Sequence, residues 1–426
     1  MHRIPRAAAL AAIAVVALIA CTTGTRAPEE ENNLLIDLIR ERSGVPTEVL
    51  DHADRHRLQI LYTQIDRDAE NRPTFRSHGL RVNTDRYFYP ASTVKFPAAL
   101  LALEKLNRLN IAGVDKHTPL RIDSAAAGQS AVTLDPTAPD SLPTIAHYIR
   151  KIFLVSDNDA FNRLYEFLGQ QYLMETLAGK GYGHTWIIRR LESATGPEAN
   201  RITNPFEFYR GDEVLYRQEM VRNPEEYVTE MAEVRQGKAH YSGGELIDEP
   251  IDFRHSNYYS VPDMQAMLQA LFFPDAVPAE RRFDLTEDDY RFLYGYMSML
   301  PRESRYPQYP DSSHWDSYVK FVLFGDSKAP MPDNIRIFNK VGQAYGYLID
   351  NAFVVDFENG VEFFLTAVLQ VNENETYNDN VYEYEETGIP FLAELGRAIY
   401  DYELKRERPH RPDLSRFRVN YQEIQP

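Results

Sequence analysis

Leu34, Leu35, Leu38 and Ile39 recur at the spacing of one helical face, so the patterned part of the chain begins with an amphipathic helix. Residues 58–66 largely alternate between apolar and polar, the signature of a strand, and a second extended stretch follows over 76–86. Residues 96–106 are rich in Ala and Leu and predict a helix. Helical patterns then dominate to about residue 271, interrupted by loops with Pro and Gly. Three β-rich runs return late, over 335–342, 348–357 and 361–371, and Asn359-Gly360 between the last two is a two-residue hairpin signal. An amphipathic helix over 391–405 follows, and 406–426 reads as loop. Strands therefore lie at both ends with a helical block between them, which predicts one α/β layer built from both ends of the chain.

Composition narrows the function. The 426 residues carry 46 Lys and Arg against 63 Asp and Glu, a formal charge of −17, and no basic stripe with interleaved aromatics occurs. That balance repels phosphate backbones, so no nucleic-acid partner is expected. The one cysteine, Cys21, excludes an internal disulfide. It follows a basic start (Arg3, Arg6) and an apolar run over 7–20 that is too short to span a bilayer. Leu18-Ile19-Ala20-Cys21 resembles a bacterial lipoprotein signal, which implies cleavage before Cys21, lipid attachment there, and an exported, membrane-anchored product. The expected divisions are a signal peptide over 1–20 and a tether over 21–33. The N-terminal part of the α/β layer is expected over 34–90 and the helical part with the nucleophile over 91–280. The C-terminal part of the layer follows over 281–408, with a tail over 409–426.

Three motifs occur in order: Ser92-Thr93-Val94-Lys95, Ser156-Asp157-Asn158 and Lys340-Val341-Gly342. With 18 Ser and 10 Lys in the chain, S-x-x-K arises by chance roughly 0.4 times. A second copy, Ser317 to Lys320, is indeed present. Context separates the two. Ser92 precedes the apolar helix, which puts Lys95 one turn along on the same face. A serine hydroxyl needs a base, and a desolvated lysine can be one. Ser317 lacks such a helix. The 11 His are scattered, and neither a metal site nor a cofactor is expected.

In these motifs the chain resembles the penicillin-recognising serine enzymes, class A β-lactamases in particular. The resemblance implies an α+β fold, an antiparallel sheet flanked by helices with an inserted all-helical subdomain. It also implies that Ser92 is acylated with Lys95 as base, that Ser156 passes a proton to the leaving nitrogen, and that Asn158 holds the substrate amide. Lys340 would attract the substrate carboxylate, beside Gly342, and the backbone N–H groups of Ser92 and Gln343 would form the oxyanion hole. Val341 stands where the family usually has a hydroxyl. The possible deacylation bases are Glu192 and Glu198, and two alignments compete. Gly196-Pro197-Glu198-Ala199-Asn200 is the closer local match to the family's Glu-Pro-Glu-Leu-Asn, with Gly replacing the activating Glu, whereas spacing from Ser156 favours Glu192. On the first alignment the enzyme acylates and stalls.

The implied substrate is a β-lactam, hydrolysed through an ester on Ser92 by a monomeric enzyme. Two other functions fit the same chain, a cell-wall peptidase or amidase of the D-Ala-D-Ala type and a non-catalytic binding lipoprotein. The long interval from Ser156 to Lys340 marks insertions around 206–255 and 301–334.

Overall fold

The computed structural model describes residues 33–426 other than 194 and 311, so the expected signal peptide, Cys21 and most of the expected tether lie outside the described residues. The chain enters through helix α1 (Asn33–Glu41) and the hairpin of β1 (Gln59–Arg67) and β2 (Pro73–Leu80). The Asp68 carboxylate closes that hairpin by accepting from the backbone N–H groups of Glu70 and Arg72. A 3₁₀ turn, Ala91–Val94, runs into α2 (Lys95–Leu109), and α3 (Ile145–Val155), α4 (Asn158–Leu168) and α5 (Gln170–Gly179) follow. After a strand pair, β3 (Phe206–Arg210) and β4 (Glu213–Gln218), come α6 (Val261–Phe272) and α7 (Glu287–Ser298). The chain then forms β5 (Ile335–Ala344), β6 (Tyr347–Asp356) and β7 (Val361–Gln370) and closes with α8 (Ile389–Lys405).

Both ends of the chain meet in one antiparallel sheet of order β5-β6-β7-β1-β2. β6 and β7 are buried along their whole length, because helices cover both faces. Ala352 and Val354 pack with Leu35 and Ile39 of α1 and Leu392, Leu395 and Ile399 of α8. Phe353 and Val355 belong to the opposite core, with Met264, Leu268 and Phe272 of α6. Two covered faces explain why these strands read as continuous apolar runs rather than alternation. β5 is an edge strand, which leaves its outer side to the helical part.

Two expectations need correction, and two further segments carry more internal structure than their sequence suggests. The stretch after residue 200 is not helical throughout: Phe206 and Phe208 are buried while Glu207 and Tyr209 are less so, a period-two pattern that builds β3 and β4, and shorter strands follow to Tyr259. The connection at Asn359-Gly360 is a four-residue loop, since Asp356 pairs with Val361 and the Asp356 carboxylate accepts from the N–H groups of Glu358 and Asn359. The acidic run at 284–289 is partly internal. Asp289 is buried, caps α7 with Thr286 and accepts from Lys116 Nζ at 2.8 Å. The tail is docked as well. Phe417 sits 5.1 Å from Phe353 and 5.8 Å from Phe272, centroid to centroid, and seals that aromatic cluster.

Candidate active site

Each candidate residue is placed by a local feature of its element. The 3₁₀ turn carries Ser92, and Ala91 before it takes a positive φ of 47°. Ser156 ends α3 in the left-handed region at φ 60°, and the Asp157 carboxylate caps α4 by accepting from Ala160 N–H at 2.7 Å. Glu192 also takes a positive φ, 48°. Non-glycine residues held there are costly, and Ser156 and Glu192 both line one cleft, as does Tyr345 at φ 56°. Gly342 brings the third motif in. A Cβ on it would meet Pro90 O at 2.8 Å, Thr93 Cγ2 at 3.1 Å and Ala91 Cβ at 3.2 Å. Only glycine lets the edge strand touch the nucleophile turn. Gly342 packs against the Ser92 turn while its neighbours Val341 and Gln343 line the cleft.

Lys95 is completely buried, and its amine is the hub. Its Nζ lies 2.8 Å from Ser92 Oγ and also donates to Ser156 O and Asn158 Oδ1. Ser156 Oγ is 3.3 Å from Lys95 Nζ and accepts from Lys340 Nζ at 2.8 Å, and Lys340 Nζ also donates to Val341 O. Burial pushes Lys95 down from 10.5 to about 7, against the pull of the Asp157 and Glu192 charges. Burial likewise holds Lys340 well below its ordinary value, and the neighbouring Lys95 charge adds to the effect. A neutral Lys95 has two N–H donors. The Ser156 carbonyl and the Asn158 amide oxygen can only accept, so they take both, and the amine lone pair is left for the Ser92 hydroxyl.

The cleft above this hub measures about 880 Å³ and is lined by Ser92, Ser156, Asn158, Glu192 and Gln343 among others. Tyr89 and Tyr345, edge-to-face at 4.9 Å, form part of its wall, with Arg189 beside Glu192. Glu198 lies elsewhere. It is exposed and paired with Arg201 and Arg222. The sequence-level choice between the two glutamates thus has a spatial answer: Glu192 faces the cleft and Glu198 does not. Ser317 lines the cleft too, but its hydroxyl donates to Ser327 O, and Lys320 turns inward to Met297 O and Asn339 Oδ1. Among the described residues no group of three or more His, Cys, Asp or Glu is placed to hold a metal ion.

A sequence profile of the beta-lactamase enzyme family matches residues 47–403. The chain belongs to that family. A search of curated proteins finds no match. Among solved structures, a beta lactamase from Xanthomonas campestris is 15% identical, with 87% of this chain and 98% of that one covered and a TM-score of 0.46. A beta-lactamase from Sphaerobacter thermophilus is 13% identical over 87% and 96% of the two chains, also with a TM-score of 0.46.

Two segments outside the three motifs wall the cleft. Trp315, Ser317, Tyr318, Val319 and Phe321 of the 301–334 insertion line the cleft. They are fixed from behind by Asp350 of β6, whose carboxylate accepts from the Phe321 and Val322 N–H groups and from Asn339. The opposite rim carries Asn378, Asn380, Tyr382 and Tyr384. That loop leans on the other insertion, since Thr376 and Tyr377 pair with Ala239 and His240, and buried Gln236 accepts from Tyr347 and Tyr377. Sequence reasoning missed these rim residues. The clustered Tyr of 377–384 was the available signal.

Proposed function

We propose that this protein is a serine hydrolase that opens β-lactam amides through an ester on Ser92. The observation that carries the reading is the buried Lys95 amine 2.8 Å from Ser92 Oγ, with its other contacts spent on acceptors. Lys95 takes the Ser92 proton as Oγ attacks the carbonyl carbon. The oxyanion that forms is met by the N–H groups of Ser92 and Gln343. As the C–N bond breaks, Ser156 gives its proton to the leaving nitrogen and recovers one from Lys95. Asn158 orients the acyl amide. A substrate carboxylate arriving beside Ser156 draws Lys340 back toward its charged form. Glu192 then takes a proton from the water that attacks the ester carbonyl, the bond from the acyl carbon to Ser92 Oγ breaks, and that proton returns to Oγ to regenerate the serine. Activation of that water contributes about 10²- to 10⁴-fold.

A fluorescent penicillin tests this directly. In rapidly quenched samples it should label the protein and Ser317→Ala transiently at one site per chain and leave Ser92→Ala unlabelled; an adduct surviving in Ser92→Ala sinks the assignment. The long aromatic and amide rim favours a second reading, a peptidase on cell-wall acyl-D-Ala-D-Ala ends, through the same ester. Release of D-Ala from such a peptide faster than β-lactam opening would decide for it.

A further inference from the structure

A second cavity, of about 850 Å³, shares no lining residue with the Ser92 cleft. It lies between α3, α7 and the C-terminal segment, and Arg150 of α3 is set into its wall. Arg150 is 3% exposed, yet no carboxylate lies within ion-pair distance of it among the described residues, and its Nε has no hydrogen-bond partner. What surrounds the guanidinium is aromatic: the Tyr296 ring at 5.4 Å and the Phe292 ring at 5.9 Å. Asp140 acts on it only from beyond contact. A buried guanidinium stays charged, and charge taken out of water is costly unless it is paired. The cation–π contacts and a hydrogen bond to Tyr296 offset part of that cost, but they supply no anion for the fork, and Nε stays unpartnered.

The other charged groups lining the cavity are Lys116, Arg291, Arg416 and Arg418 against Asp140, Asp288 and Glu423, so with Arg150 the lining keeps a cationic excess. His147 is 1% exposed with its Nδ1 unpartnered, while its Nε2 lies 2.8 Å from Thr137 Oγ1. Arg416 and Arg418 at the mouth rest on the Tyr290 and Phe357 rings and likewise have no carboxylate within ion-pair distance among the described residues. Lys116 and Arg291, by contrast, are matched by Asp288. In a chain of net charge −17, an excess of unpaired guanidinium at one cavity is not a sampling of the surface. Leu142, Phe292, Val419 and Ile424 add apolar wall.

We propose that this cavity is a binding site for a small organic carboxylate, with its anionic head on the Arg150 fork and its apolar body against Phe292 and Ile424. The planar fork matches a carboxylate in two parallel hydrogen bonds, which a lysine cannot reproduce. The cavity is independent of the hydrolytic reading, and its test uses no turnover.

Benzoate is the probe, titrated calorimetrically into the full chain alongside benzamide and inorganic phosphate. Benzoate should bind once per chain with a Kd on the order of 0.1–1 mM, and benzamide at least about tenfold more weakly. Arg150→Lys, which keeps the charge, should still lose about tenfold, and the exposed Arg416→Gln a few-fold. Ser92→Ala should bind benzoate unchanged. Equal binding of benzamide, full affinity in both Arg150→Lys and Arg416→Gln, loss of binding in Ser92→Ala, or no binding at about 20 mM overturns the site. Tighter binding of phosphate than of benzoate overturns its assignment to carboxylates. Arg416→Gln keeps the test decisive should the Arg150 variant fail to fold.

Discussion

Lys95 makes the residue-scale account quantitative. Its folded value of about 7 lies below the 10.5 of a free lysine, so the folded state binds fewer protons between those limits. Stability owed to this group therefore rises with pH across that window, and the cost of burying the cation is fully present below about 7. The difference in melting temperature between the protein and Lys95→Met should change steadily in favour of the parent from pH 7 to pH 10. A flat difference would mean that Lys95 titrates as a solvated lysine does. Acylation should follow the same group with the sign of a base, slow below pH 7 and reaching a plateau above it, which stopped-flow mixing with a chromogenic β-lactam would record. Much at this scale was legible in the sequence. The helix start at Ser92 and the one-turn spacing of Lys95 are local features, and local features survive folding. The choice between Glu192 and Glu198 was not legible, because it depends on which side chain a loop turns toward the cleft, and Arg201 and Arg222 draw Glu198 away.

At the scale of elements, the close packing of the edge strand on the nucleophile turn is the feature most open to attack. Gly342→Ala adds a methyl where Pro90 O stands 2.8 Å away, so β5 or the turn must move. We expect acylation to fall by about tenfold or more, since sub-ångström placement of the nucleophile governs the rate, while the far-ultraviolet circular dichroism is unchanged. Unchanged acylation would show that the strand does not set the position of Ser92. Gly196 is the contrast: its φ is −70° and a Cβ there meets nothing within 4 Å, so a side chain fits. The tail shows why sequence reading stops short. Nothing in 406–426 has a period, yet Phe417 is buried in an aromatic cluster formed by α6, β5 and β6. Phe417→Ala should cost about 3–5 kcal/mol in chemical denaturation, and a loss under about 1 kcal/mol would mean the tail is not docked. Strands β5 to β7 were read correctly because burial on both faces makes them rich in apolar, aromatic and β-branched residues despite a few buried polar ones. The 206–259 strands were missed because they are short, and in several of them one side faces water.

The whole molecule combines a family core with two insertions that build and brace the cleft. The 301–334 segment supplies one wall directly, and 206–255 supports the other through Gln236 and the Thr376–Tyr377 pairing. This division was invisible from sequence, where both insertions are simply extra length rich in Tyr, Pro and charge. Trp315→Ala should raise KM for bulky substrates several-fold and leave kcat within about twofold, since the ring lines the cleft away from the proton relay. An equal fall in kcat would place that wall in the chemistry. For the membrane attachment proposed at Cys21, Cys21→Ala should abolish both lipidation and processing, as metabolic labelling with a fatty acid would show; labelling that persists would refute it. The central claim is that Ser92 carries an ester which Glu192-activated water removes. Intact-protein mass spectrometry after mixing Glu192→Gln with a penicillin tests it most directly. The account predicts a persistent adduct of one penicillin per chain, mapped to the peptide holding Ser92, where the parent shows it only transiently and Glu198→Gln behaves as the parent does. No adduct on Ser92 in any of the three proteins, or an adduct that decays equally fast in Glu192→Gln and the parent, would contradict it.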